Sequence, residues 1–207
     1  MYNGNEGDYM RKTTLYRILI PILVFLFKLI FNPKVIGKEN IVSSGPLVIA
    51  GTHTNILDPI LILSQTKRTV HFLAKKELIE GPLGFIFKRM AIIPVDRSIK
   101  DKSVIPVATD FLDKGEIVGI FPEGTTEKGR GLLPFKIGAV KMASNTGSPI
   151  IPFAITGKYR PFINKLTIVF GKPYKIKNKN DLTTENEILR NTVIELIKKG
   201  ENYGKNK

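Results

Sequence analysis

The 207-residue chain contains no cysteine, so disulfides, thiolate nucleophiles and cysteine-ligated metals are all excluded. It contains no tryptophan, and its only histidines are His53 and His71. A zinc site would need carboxylates for most of its ligands, and no HExxH spacing occurs, so no metal is expected. Acidic residues are scarce: 18 Asp and Glu against 32 Lys and Arg give a net charge of +14, which attracts anionic partners. Nucleic acid, an acidic membrane surface and phosphorylated substrates all satisfy that charge. Nucleic acid has nothing else in its favour, because no RRM- or KH-like signature occurs and the phenylalanines sit mainly inside apolar runs, away from any stacking role. Long hydrophobic runs are missing too. The uninterrupted stretch from Ile18 to Phe27 falls well short of the ~20 residues that cross a bilayer perpendicularly.

What is present starts with a polar lead-in over residues 1–12, read as mobile. Residues 15–31, LYRILIPILVFLFKLIF, are the most apolar segment, with Arg17 and Lys28 as its only charges. It could be stretched to a span if those two cations snorkel, and a signal peptide or a buried core helix are further rivals. No A-x-A cleavage site follows; the chain runs on into NPKVIGKEN. The preferred reading is a membrane-associating helix lying in the bilayer interface, with its cations at headgroup level.

Beyond residue 32 the pattern becomes that of one globular domain, residues 33–200, with a frayed tail over 201–207. Apolar runs at 46–53, 69–78, 90–97, 117–125, 149–156 and 165–174 predict six strands. Segments 58–65, 102–116, 137–147 and 184–200 predict helices, the last closed by Gly200. Strands alternating with helices indicate an α/β fold with a mixed, largely parallel sheet flanked by helices.

In such folds ligands bind beyond the strand C-termini. Three predicted strand ends carry polar groups: His53 and Asp58, Asp96 and Arg97, and Glu123 with Gly124 and Thr125. Taken singly, each has a structural explanation: a satisfied histidine and a helix cap, a solvated arginine, an ordinary turn with glycine at positive φ. The first pair, in GTHTNILDP, is a geometric question. Were residues 53 to 58 all helical, five steps of 100° would set His53 and Asp58 about 140° apart, on different faces. With Asp58 as N-cap, Pro59 in the first helical position and 54–57 an irregular turn, the side chains can meet. An aspartate so placed orients the imidazole and leaves the other ring nitrogen as a general base. With no activated serine or cysteine beside it, such a dyad suits a reaction that deprotonates the substrate's own hydroxyl.

GTHTNILDP, then AIIPVDR, then IFPEGT followed by LLPFKIGA, then IIPFAI, in this order and at these separations, resemble the four blocks of the glycerolipid acyltransferase family, of the lysophosphatidic acid acyltransferase type. GKENI before the first block and FLAKKELIEGPLGFIF after it resemble the family as well, so the likeness runs over roughly residues 33 to 175. The resemblance implies transfer of an acyl group from acyl-CoA or acyl-carrier protein to 1-acyl-glycerol-3-phosphate, a lysophosphatidic acid, giving phosphatidic acid. It implies no permanently bound cofactor, contact with anionic membrane lipids, and a place on the cytoplasmic face of the cell membrane. His53 matches the general base and Asp58 its support. Arg97 matches the second-block arginine that grips the acceptor phosphate. Glu123 and Gly124 match the third-block pair associated with the acceptor, with Thr125 next to them. Glu123 is expected to accept from a hydroxyl or to lock cationic side chains, and Gly124 to allow close backbone approach and offer amide hydrogens to phosphate. Lys136, in PFKIGA just before a predicted helix start, is expected to be a second phosphate cation; Pro152 belongs to the fourth block, whose apolar residues are expected to shape the site.

Two departures stand out. Thr52 precedes the histidine where the family commonly has asparagine, and Thr126 and Glu127 follow the third block where Arg-Ser is usual. The second removes one phosphate-directed cation, which Lys128 or Arg130 could replace from the same loop, and it leaves the acceptor headgroup open. Another phosphorylated or lipid acceptor, and a non-catalytic lipid-binding protein, are the remaining readings.

Overall fold

In a computed structural model, residues 6–81, 91–95, 104–126, 131–163 and 165–205 are described. The run LVIAG forms β2 (Leu47–Gly51), and all five of its residues are buried. Alternation sends Val48 and Ala50 into one apolar core and Leu47 and Ile49 into another, so the strand is covered on both faces. Around it lie β1 (Lys34–Ile36), β3 (Val70–Lys75), β4 (Ile92–Val95), β5 (Ile117–Ile120), β6 (Ile150–Gly157) and β7 (Leu166–Phe170). They form a seven-stranded sheet in the order β1-β7-β6-β2-β5-β3-β4. Among the described residues only the β6–β7 strand pair is antiparallel. The C-terminal ends of β2 to β6 therefore share one edge, and Gly51 pairs with Phe153 there.

The α/β expectation, a mixed and largely parallel sheet flanked by helices, holds. The six expected strands are all present; β6 is as long as its apolar run, while β2, β3, β5 and β7 are shorter than theirs. The seventh, β1, is three residues long and pairs with β7, too short to show an alternating pattern.

One face carries α4 (Val104–Asp113), α5 (Gly138–Thr146) and α6 (Leu182–Lys205); the other carries α1 (Glu6–Phe31) and α2 (Asp58–Leu63), while the short α3 (Lys76–Glu80) follows β3 directly. The boundaries of α1 and α6 differ most from expectation. Helix α1 is continuous from Glu6, so the lead-in belongs largely to it. Helix α6 runs through Gly200 to Lys205, past the expected stop and through most of the expected frayed tail. Gly200 is there for space: a Cβ would come within 2.7 Å of Thr156 Oγ1, so its bareness lets the helix lie close on β6.

Helix α1 buries one face and leaves the other bare. Phe27 is buried, with Ile20, Val24 and Phe31 packed against the same core at i, i+4, i+7 and i+11 spacing. Leu19, Ile22, Phe25, Leu26 and Leu29 are exposed. Among the described residues no helix is long and apolar enough to cross a membrane.

Candidate active site

Beyond Gly51 the chain leaves β2 and turns before α2. Asn55 shapes this turn: its side-chain oxygen accepts from the Leu57 amide at 3.0 Å, and its carbonyl accepts from the Asp58 amide at 3.0 Å. Asp58 is the first helical residue and Leu57 the N-cap, one position earlier than expected. The carboxylate consequently caps the turn behind it instead of its own helix. Its Oδ2 accepts from the backbone amides of Thr54 at 2.5 Å and Asn55 at 2.8 Å. Fully buried, it also meets His53 Nδ1 at 3.0 Å through the same oxygen. Its Oδ1 accepts from the hydroxyls of Thr54 at 3.1 Å and Tyr159 at 2.5 Å. Five donors thus converge on two acceptor oxygens.

Because Asp58 is held by donors on every side, Nδ1 of His53 carries the proton and Nε2 the lone pair. The ring lies flat on Phe121, with centroids 4.0 Å apart and planes 14° from parallel, a contact worth roughly 0.5–1.5 kcal/mol. Its side chain is 19% exposed, and among the described residues nothing hydrogen-bonds Nε2. The arrangement is a fixed imidazole with one basic nitrogen directed away from its carboxylate.

The loop after β5 is latched to this one. Glu123 Oε1 accepts from the His53 backbone amide at 2.9 Å, and Oε2 from the Leu133 amide at 3.2 Å. Both oxygens are occupied by backbone, so Glu123 locks two loops together where a hydroxyl or a cation had been expected as its partner. Gly124 follows with φ 72°, the left-handed region that favours glycine. Its own amide donates to the Phe121 carbonyl at 3.0 Å and is not offered to a phosphate. The close approach that Gly124 permits is by Lys136: a Cβ on Gly124 would lie 2.9 Å from Lys136 Nζ. Thr125 is half-buried in the same loop.

The family model described as Acyltransferase matches residues 32–156, which takes in all four sequence blocks. The chain belongs to the acyltransferase family. It is 31% identical over 197 residues to 1-acyl-sn-glycerol-3-phosphate acyltransferase of Bacillus subtilis, covering 89% of this chain and 98% of that one. The enzyme of the same name from Borreliella burgdorferi is 33% identical over 140 residues, 66% of this chain and 56% of that one. In fold the chain is similar to the crystal structure of the 1-acyl-sn-glycerophosphate acyltransferase of Thermotoga maritima, with a TM-score of 0.64, 21% identity and coverage of 95% and 84% of the two chains.

In this acyltransferase, His53, Asp58, Glu123, Gly124 and Lys136 come together at the C-terminal ends of β2 and β5. Arg97, Lys128 and Arg130 lie outside the described residues. Pro152 lies within β6 beside Ala50. Thr52, the departure beside the histidine, accepts the Ile155 amide on its hydroxyl at 2.8 Å and so ties the end of β2 to β6. Among the described residues no group of three or more His, Asp or Glu gathers where a metal could sit.

Tyr159 and Phe121 escaped the sequence. Tyr159 follows β6, the parallel neighbour of β2, and reaches over the same edge; only the strand order reveals it. Its ring is wedged against Phe27 and Phe31 of α1, with centroids 6.3 and 5.6 Å away. Burial first, then the charge and hydrogen bond of Asp58, hold its phenol well above the ordinary tyrosine range, so it stays a donor. Replacing Tyr159 by phenylalanine keeps the ring contacts and removes one of the five donors. The expected result is a loss of about tenfold in kcat, with stability lowered by about 1–3 kcal/mol, read by initial rates and thermal unfolding. Unchanged kcat would show that the remaining four donors suffice to hold the carboxylate.

Proposed function

We propose that the chain moves a fatty acyl group from acyl-CoA or acyl-carrier protein to the free hydroxyl of 1-acyl-sn-glycerol 3-phosphate, giving phosphatidic acid. The observation that carries this is the oriented His53–Asp58 pair, 3.0 Å apart, in a chain without cysteine and with no side-chain hydroxyl among the described residues bonded to Nε2. A base without a protein nucleophile acts on a hydroxyl brought by the substrate. Nε2 takes the acceptor's proton as its oxygen forms a bond to the thioester carbonyl carbon. The tetrahedral intermediate collapses, the carbon–sulfur bond breaks, and the imidazolium returns its proton to the departing thiolate. The products are the new ester and a free thiol, with no acyl-enzyme.

Lys136 is assigned to the acceptor's phosphate, a reading that its exposure and its closeness to Gly124 support. Arg97 is assigned to the same phosphate from its sequence block alone, and Thr125 to the acceptor pocket beside Gly124. Glu123 acts here as a positioning residue, keeping the His53 loop and the 131–136 loop in register. The bare apolar face of α1 supports attachment to the membrane surface, on the cytoplasmic side where acyl donors and anionic lipids meet.

The test is thioester-dependent product formation by the purified protein in detergent or liposomes. Its acceptor panel contains 1-acyl-glycerol-3-phosphate, glycerol 3-phosphate and lysophospholipids with other headgroups; its donor panel contains acyl-CoA and acyl-carrier protein. The highest kcat/KM is expected with 1-acyl-glycerol-3-phosphate. A preference of tenfold or more for another acceptor would overturn the substrate assignment and leave the acyl-transfer chemistry standing.

A further inference from the structure

A cleft of about 990 Å³ lies at the other end of the sheet from His53. His53 follows the C-terminal end of β2, whereas Thr69 and Glu116, which line this cleft, immediately precede β3 and β5. One wall is the side of α1 carrying Ile20, Val24 and Phe25, and Phe25 is also part of the helix's exposed apolar face, 65% exposed. The cleft therefore opens beside the surface that α1 leaves bare.

Its charge is one-sided. Lys28, Lys38, Lys67 and Arg68 line it against the single carboxylate of Glu116. That carboxylate is bonded to His71 Nε2 and faces Arg68 as well. Arg68 is held rigidly, its guanidinium donating to the carbonyls of Val42 at 3.2 Å, Gly45 at 2.5 Å and Gly115 at 2.7 Å. The three lysines have no carboxylate within ion-pair distance among the described residues. Partial burial and the like charge of Lys38 hold Lys28 below the usual lysine range. Unpaired cations that repel one another above an apolar wall are complementary to one kind of molecule, an anion joined to a hydrocarbon chain.

We infer that this cleft binds an anionic phospholipid of the bilayer, its phosphate among Lys28, Lys38 and Lys67 and an acyl chain along Ile20, Val24 and Phe25 of α1. The lipid is a docking ligand and not the reacting substrate, because the cleft and the dyad sit at opposite ends of the sheet. This deepens the membrane reading of α1; because binding is measured without turnover, its failure leaves the acyl-transfer assignment untouched.

The experiment compares the full chain with two triple variants by co-sedimentation with phosphatidylglycerol or phosphatidylcholine vesicles. One carries Lys28→Gln, Lys38→Gln and Lys67→Gln; the other carries Lys141→Gln, Lys172→Gln and Lys175→Gln. All six lysines are exposed, so both variants should fold, which circular dichroism checks. Both lose the same net charge. The cleft variant is expected to bind phosphatidylglycerol vesicles about 30-fold or more weakly, and the control variant less than about threefold. Equal weakening in the two would reduce the site to overall charge and overturn it. So would competition by inorganic phosphate as effective as that by a short-chain phosphatidylglycerol. A wild-type chain that binds neither vesicle would remove the membrane reading along with the site.

Discussion

Replacing His53 by alanine is expected to lower kcat for acyl transfer about 10³-fold, within the range that a positioned general base supplies. The KM values for donor and acceptor should move little, because in the proposed mechanism Nε2 acts on the hydroxyl proton only as the new bond forms and contributes little to ground-state binding. The fold should survive: the ring is partly exposed, and the Glu123 latch grips the backbone amide of residue 53, which alanine retains. A His53→Asn variant sharpens the test, since its amide can still donate toward Asp58 but cannot take a proton at the position of Nε2. Both variants should be equally inactive in the thioester assay and should unfold near the parent temperature. Retention of more than about a tenth of kcat in either one would move the base elsewhere, since a residual rate of that size is far above what loss of general-base catalysis leaves.

The contrast between what the sequence shows and what it hides is physical. Strand β2 is legible because burial on both faces demands a continuous apolar run, and the fourth block reads the same way as β6. Strand β1 hides because three residues at the sheet edge need no pattern. Gly200 misleads because glycine after an apolar helical repeat usually stops the helix, whereas here the close approach of α6 to Thr156 is what requires it. In the site, the meeting of His53 and Asp58 follows from local turn geometry, so residues five apart reveal it. The hydroxyl of Tyr159 comes from 101 residues away, and the Glu123 latch spans 70, so both depend on strand order. Even the cap was displaced by one position, for a reason visible only in three dimensions: the Thr54 and Asn55 amides point toward Asp58 from behind, and the carboxylate satisfies them first.

The same strand order explains why α1 belongs to both the surface and the chemistry. The inner face of α1 holds Tyr159 through Phe27 and Phe31, and Tyr159 holds Asp58; the outer face is bare. The helix that would meet the bilayer is thus three contacts from the imidazole. Sequence composition alone places an apolar helix near the N-terminus and a dyad at a strand end, with nothing to join them.

Replacing Asp58 by asparagine separates the two things its carboxylate does. At Oδ2 it accepts from three N–H donors, an arrangement that an asparagine carbonyl can reproduce. At Oδ1 it accepts from two hydroxyls, Thr54 and Tyr159, and each of these can rotate to accept from an amide NH₂ instead. The turn should therefore stay in place and His53 should keep its proton on Nδ1. What disappears, on the proposed mechanism, is the negative charge beside the imidazolium that would form as the acceptor hydroxyl is deprotonated. Unit charges about 4 Å apart at an effective dielectric constant near 20 attract by about 4 kcal/mol, which corresponds to roughly 10³ in rate. The expected result is a kcat lowered between about 10²- and 10³-fold with KM nearly unchanged and the unfolding temperature close to the parent. Alanine at the same position should behave differently, because it leaves the partly buried Thr54 and Asn55 amides and Tyr159 hydroxyl without their acceptor, at up to about 1–3 kcal/mol for each group. If asparagine instead kept most of the activity, Asp58 would serve only to brace the turn, and the base strength of His53 would not depend on it.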